Sequence, residues 1–107
     1  MMQSYAVNGV RMDLDTSEAI QGQMAIGNYE PTESGWVRQH LRPGSVFVDV
    51  GANFGWFTTW ALRRVGSRGH VSAFEPSPVA FATLQRALGS RGNPWGFSRP
   101  TRADGLA

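Results

Sequence analysis

Ser45-Val46-Phe47-Val48-Asp49-Val50-Gly51-Ala52-Asn53-Phe54-Gly55 is the stretch that sets the architecture. Its first half is an apolar, β-branched run bounded by turn residues, the pattern of a strand buried on both faces of a parallel sheet. Its second half carries Gly51 and Gly55, which let the backbone turn tightly and leave room above it. From Trp56 to about Val65 the pattern becomes helical, with Phe57, Trp60, Ala61 and Val65 on one side and Arg63 and Arg64 looking outward. Gly66 is a natural stop. A second strand follows at about His70 to Phe74, and Glu75 stands 20 positions after Gly55. That spacing fits a glycine turn and an acid at the end of the neighbouring strand.

Working outward, Glu75-Pro76-Ser77-Pro78 breaks the chain, with Ser77 as N-cap and Pro78 in the first turn of a helix whose buried stripe is Phe81, Leu84 and Leu88. Strand, helix, strand, helix is a βαβ unit with a right-handed crossover. Upstream, Glu30-Pro31 starts a helix with Trp36, Val37, His40 and Leu41 on one face, and Pro43-Gly44 ends it. Asn8-Gly9 between two short alternating runs, Tyr5 to Leu14, signals a tight hairpin. Asp15 with Glu18 resembles a capping box for a short helix carrying Ile20 and Met24. From Gly89 onward breakers crowd the chain, and no further sheet is expected. The organisation read from the sequence is a hairpin and short helix over residues 1–28, a partial Rossmann-like domain over 29–88 and a disordered tail over 89–107. The fold class is α/β, a parallel βαβ unit preceded by a β-hairpin.

Composition narrows the chemistry. A chain of 107 residues has room for one small domain. All ten basic residues are arginine, so no Walker lysine, Schiff-base lysine or pyridoxal phosphate site is present in this sequence. With no cysteine there is no disulfide framework, thiol nucleophile or cysteine zinc cluster, which is compatible with a reducing cytoplasm. No signal-peptide pattern or membrane-length apolar run appears, and the expectation is a cytoplasmic protein. The arginines are scattered, which argues against a nucleic-acid footprint despite the net charge of +2. His40 and His70 read as packed or surface residues, and no metal site is expected. Trp36, Trp56 and Trp60 are expected to pack against the sheet, whereas Trp95 falls in the tail.

The candidate site is Asp49, Gly51, Asn53 and Gly55 at the end of the first core strand, with Glu75 at the end of the next. A dinucleotide brings a pyrophosphate, which favours G-x-G-x-x-G and no acid crowding the turn. Here Gly51, Asn53 and Gly55 do not fit that pattern, and Asp49 stands two positions before Gly51. A cationic nucleoside suits it better. S-adenosylmethionine carries a sulfonium and an ammonium and no phosphate, so Asp49 can hold its amino-acid end and Glu75 its ribose hydroxyls. Phe54 and Pro76 would supply apolar surface near the adenine.

Tyr29-Glu30, Pro43-Gly44 with Val46 through Gly55, and Phe74 through Pro78 together resemble the amino-terminal half of the FkbM family of methyltransferases, over roughly Tyr5 to Leu88. The resemblance implies the class I methyltransferase fold and O-methylation of a hydroxyl on a small metabolite or sugar. It also implies cofactor contacts at Asp49, Gly51, Asn53, Gly55 and Glu75, and at Tyr29 and Glu30. The expected partner is a small-molecule hydroxyl acceptor, with no nucleic acid and no membrane; no general base is identified. In that family the sheet continues to seven strands, so the sequence reads as a truncated chain, by termination or a shifted frame. Two alternatives stand beside this reading: a non-catalytic remnant with weak or no cofactor binding, and an NAD-dependent oxidoreductase, which the turn pattern disfavours.

Overall fold

In the computed structural model, residues 2–89 and 97–98 are described. β1 (Met2–Val7) and β2 (Val10–Asp15) pair antiparallel with Val7 opposite Val10. Asn8 and Gly9 both take positive φ, 50° and 83°, as a two-residue turn of the I′ kind demands. Alternation along β2 buries Val10, Met12 and Leu14 and leaves Arg11 and Asp13 outside. β2 packs against the last long helix, so the hairpin leans on the helical layer.

α1 (Ala19–Ala25) is capped by Glu18, whose carboxylate accepts from the N–H groups of Ile20 and Gln21, both at 3.0 Å. The sequence reading placed this cap at Asp15. Asp15 instead closes β2, where its Oδ1 accepts from the Ser17 N–H at 3.1 Å and the Ser17 hydroxyl at 2.6 Å. That local turn occupies the carboxylate and delays the helix by three residues.

α2 (Pro31–His40) starts where Pro31 predicts. Its inward face, however, is Ser34 and Val37. Trp36 is 58% exposed and stacks on the exposed His40 with ring centroids 4.1 Å apart, contrary to the expectation that it packs on the sheet. Positions 36 and 40 are one turn apart on the outer side, where the two rings shelter each other. Arg64 is also not a free surface cation: its Nε and Nη2 donate to the Leu41 carbonyl at 3.3 and 3.1 Å. It thereby satisfies an acceptor at the end of α2.

β3 (Val46–Val50) and β4 (His70–Phe74) pair in parallel, with Val46 opposite His70 and Val50 opposite Phe74. Between them run α3 (Trp56–Val65) and a short 3₁₀ turn, Gly66–Arg68. α4 (Pro78–Gly89) follows, and the Ser77 hydroxyl accepts from the Ala80 N–H at 3.4 Å as its cap. Phe97–Ser98, designated β5, adds a third parallel strand beside β4, with Phe97 opposite Val71. The sheet order is β3-β4-β5, which corrects the expectation that nothing after Leu88 extends the sheet. Gly89, expected to begin the disordered tail, instead closes α4, and the rest of that tail, 90–96 and 99–107 with Trp95, lies outside the described residues.

Asp49, Val71 and Ala73 point into the core, where Ala61, Leu62, Val65 and Leu84 are fully buried. The opposite face of β3 is open: Val46, Val48 and Val50 are 70, 58 and 72% exposed. The strand is therefore covered on one face only by the described residues, not on both as its composition suggests. A β-branched run reads the same in either case.

Two glycines in the turn after β3 are required for different reasons. At Gly55, φ is +99° and an added Cβ would run into Leu84 Cδ1, so both backbone strain and overpacking oppose a side chain. At Gly51, φ is +78° but nothing lies within 4 Å. Gly55→Ala is expected to cost about 2–4 kcal/mol and Gly51→Ala about 1–2 kcal/mol. Urea unfolding of the two variants, with the larger shift for Gly55→Ala, checks this order.

Candidate functional site

The turn joining β3 to α3 is pinned to the end of β4. The Phe74 carbonyl accepts from both the Gly51 and Ala52 N–H groups, at 2.8 and 2.9 Å. Asn53 has φ 54° and donates its N–H to Glu75 Oε1 at 2.6 Å. Glu75 Oε2 accepts from the Ser77 N–H at 2.7 Å. The buried Glu75 carboxylate thus ties the turn after β3 to the turn after β4.

Asp49 points to the helical side of the sheet, where Thr58 Oγ1 donates to its Oδ2 at 2.6 Å. Burial pushes the Asp49 carboxyl above the ordinary range, the Thr58 bond partly opposes this, and the negative charge of Glu75 pushes it up further. The Asp49 carboxyl therefore feels the charge of Glu75. Neither has an ion-pair partner among the described residues.

Tyr29 meets Trp56 edge to face, with centroids 6.0 Å apart and planes at 81°. The Trp56 indole N–H donates to Ser34 Oγ at 2.6 Å, and the Ser34 hydroxyl donates to the Tyr29 carbonyl at 3.2 Å. A small hollow of about 90 Å³ opens there, lined by Gly51, Asn53, Tyr29, Met24, Phe54 and Trp56 among others. This is well below the roughly 300 Å³ of a small-molecule pocket, so the hollow by itself does not enclose a ligand of that size. A larger hollow of about 420 Å³ between β2, α1 and α4 has none of the turn residues in its lining.

Of the residues singled out in the sequence, Gly51, Asn53 and Tyr29 share one hollow, Asp49 and Glu75 lie within electrostatic reach, and Gly55 starts α3 against Leu84. Glu30 is not with them. It is exposed, left-handed at φ 47°, and its carboxyl is raised by a hydrogen bond to Glu33 and by that neighbour's charge. Phe54 is buried beside the hollow, whereas Pro76 is exposed. Sequence reasoning missed Thr58, whose one signal was a hydroxyl on the strand-facing side of a helix one turn past Gly55.

The described residues contain no helix long and apolar enough to cross a membrane and no group of three or more His, Cys, Asp or Glu able to hold a metal. No family model matches the chain. It is 54% identical over 46 residues, 42% of its length, to the 31-O-demethyl-FK506 methyltransferase FkbM of Streptomyces tacrolimicus. That match spans 17% of the relative. A SAM-dependent O-methyltransferase structure from Thermotoga maritima superposes with a TM-score of 0.53 at 26% identity, over 70% of this chain and 28% of that one. A protein-L-isoaspartate O-methyltransferase gives 0.55 at 19% identity, over 68% and 24%.

These likenesses define the architecture as the Rossmann-like class I methyltransferase fold. Within that class, the resemblance to FkbM read from the motifs is borne out by the matched segment.

The Asp49 environment carries a pH signature. Because its folded-state pKa is raised, the group favours folding below the ordinary aspartate value of about 4, and that contribution is lost as pH rises through the raised value. Asp49→Asn keeps an acceptor for Thr58 and removes the charge. The difference in melting temperature, variant minus parent, is expected to be smallest near pH 4 and to grow toward pH 7; a pH series of thermal melts measures it.

Proposed function

We propose that this chain binds S-adenosylmethionine over the glycine turn and forms the donor-binding part of an enzyme that methylates a hydroxyl group on a small molecule or sugar. The observation that carries the reading is the pair of buried carboxylates, Asp49 and Glu75, at the ends of neighbouring parallel strands, with the charge of Glu75 adding to the cost of ionising Asp49. A cation placed between them relieves that cost. The residues fit the cofactor in a second respect: the space above Gly51 is open where a side chain would otherwise stand, so a ligand can lie against the backbone.

When bound, the cofactor supplies a methyl group on a positively charged sulfur. In this reading Asp49 receives the ammonium of the amino-acid end, held in place by Thr58. Glu75 receives the ribose hydroxyls. A carboxylate offers about four acceptor positions, and the N–H groups of Asn53 and Ser77 take two of them, leaving two for the ribose. Gly51 through Gly55 contribute close backbone approach, and Tyr29 with Trp56 forms a rigid aromatic wall beside the turn. Glu30 is exposed and outside the hollow, and a cofactor contact there rests on the family resemblance alone. Rate enhancement in such an enzyme comes mainly from holding the acceptor oxygen in line with the methyl carbon.

The hydroxyl acceptor is supported by the O-methyltransferase names of the FkbM relative and the Thermotoga maritima neighbour. An NAD-dependent reading is opposed by the turn, which does not fit G-x-G-x-x-G, and by Asp49, which would crowd a pyrophosphate there.

Titration calorimetry of the chain with S-adenosylmethionine and, separately, NAD tests the proposal. Binding of the first and none of the second is expected. Glu75→Ala is expected to weaken S-adenosylmethionine binding about ten- to hundredfold, from the loss of charge-assisted hydrogen bonds. No measurable S-adenosylmethionine binding by the folded parent chain would overturn the assignment.

A further inference from the structure

We infer that Asn8, at the tip of the β1–β2 hairpin, is a positioning residue for the glycine turn, acting through Thr59 and the first turn of α3. The functional part of this inference rests on the S-adenosylmethionine reading above. Asn8 Nδ2 donates to the Trp56 carbonyl at 3.0 Å and to Thr59 Oγ1 at 3.1 Å. Thr59 is fully buried, and its hydroxyl lies 2.8 Å from the Gly55 carbonyl and 2.9 Å from the Trp56 carbonyl. A primary amide has two N–H donors, and here each has an acceptor. With Asn8 filling an acceptor site on the Thr59 oxygen, the single hydroxyl hydrogen is left to point at the carbonyls that begin α3.

Turn chemistry alone does not ask for this. A hairpin of this kind needs positive φ at residues 8 and 9, and glycine at position 8 would satisfy that. The amide adds a contact spanning 48 residues of sequence to Trp56 and 51 to Thr59. A separate observation places the hairpin tip hard against the same helix: a Cβ on Gly9 would lie 3.2 Å from Arg63 Nη1. The glycine turn is therefore fixed from three directions: by the Phe74 carbonyl at its start, by Glu75 at Asn53, and by the hairpin through Thr59 at Gly55. Removing the third support frees the end of the turn while leaving the sheet intact.

Asn8→Gly keeps the turn and deletes the amide; Asn8→Asp keeps the turn and side-chain size and deletes both donors. Leu14→Val, which trims the buried hairpin core away from α3, is the stability control. Amide hydrogen exchange by NMR and S-adenosylmethionine titration are read on all four full-length chains. In both Asn8 variants, exchange at Asn53 and Gly55 is expected to accelerate about tenfold or more relative to β4, and S-adenosylmethionine affinity to fall about fivefold or more. Leu14→Val lowers the melting temperature and leaves both readouts at parent values. If the Asn8 variants match Leu14→Val, losing thermal stability with unchanged turn exchange and unchanged affinity, the positioning role is overturned. If the parent chain has no affinity for S-adenosylmethionine, the cofactor reading falls, and the exchange comparison alone decides whether Asn8 holds the turn.

Discussion

The Glu75 carboxylate accepts one backbone N–H from Asn53 and one from Ser77, and the shape of the whole crevice follows from those two bonds. Each joins a carboxylate oxygen to a peptide donor, a kind of bond that contributes about 1.5–3 kcal/mol. They draw two successive strand-to-helix turns together at the same end of the sheet. The parallel register, with Val50 opposite Phe74, brings both turns level and makes the reach possible. The Phe74 carbonyl and the Leu84 side chain then leave the turn little freedom to drift, the first by holding two N–H groups and the second by filling the space beside Gly55.

The same arrangement sets an electrostatic tension. Asp49 is buried next to a second acid and its carboxyl is raised, so at neutral pH its ionised form works against folding. Thr58 offsets part of that cost with a single short bond. A surface acid would carry no such burden.

Much of this was legible in the order of residues. The Asn8-Gly9 turn, the Pro31 and Pro78 helix starts, the Ser77 cap and the two parallel strands all announce themselves through local chemistry, because each depends on neighbours within a few positions. The acid pair was legible through spacing. What escaped depended on partners distant in sequence. Thr58 looks like any helical threonine until Asp49 lies beneath it, and Asn8 looks like a turn residue until α3 arrives. Trp36 was misread because an apolar ring on a helix usually faces inward, whereas here His40 covers it from outside. Asp15 was misread because a capping carboxylate and a strand-ending turn use the same short side chain. Phe97–Ser98 is too short a strand to show a period among so many glycines and prolines.

The row of valines on the open face of β3 leaves a reservoir of unspent hydrophobic energy. Shielding Val46, Val48 and Val50 from water would contribute about 3 kcal/mol, roughly a hundredfold in the ratio of folded to unfolded molecules. For a domain of this size, that is a sizeable fraction of all the stability it is expected to have.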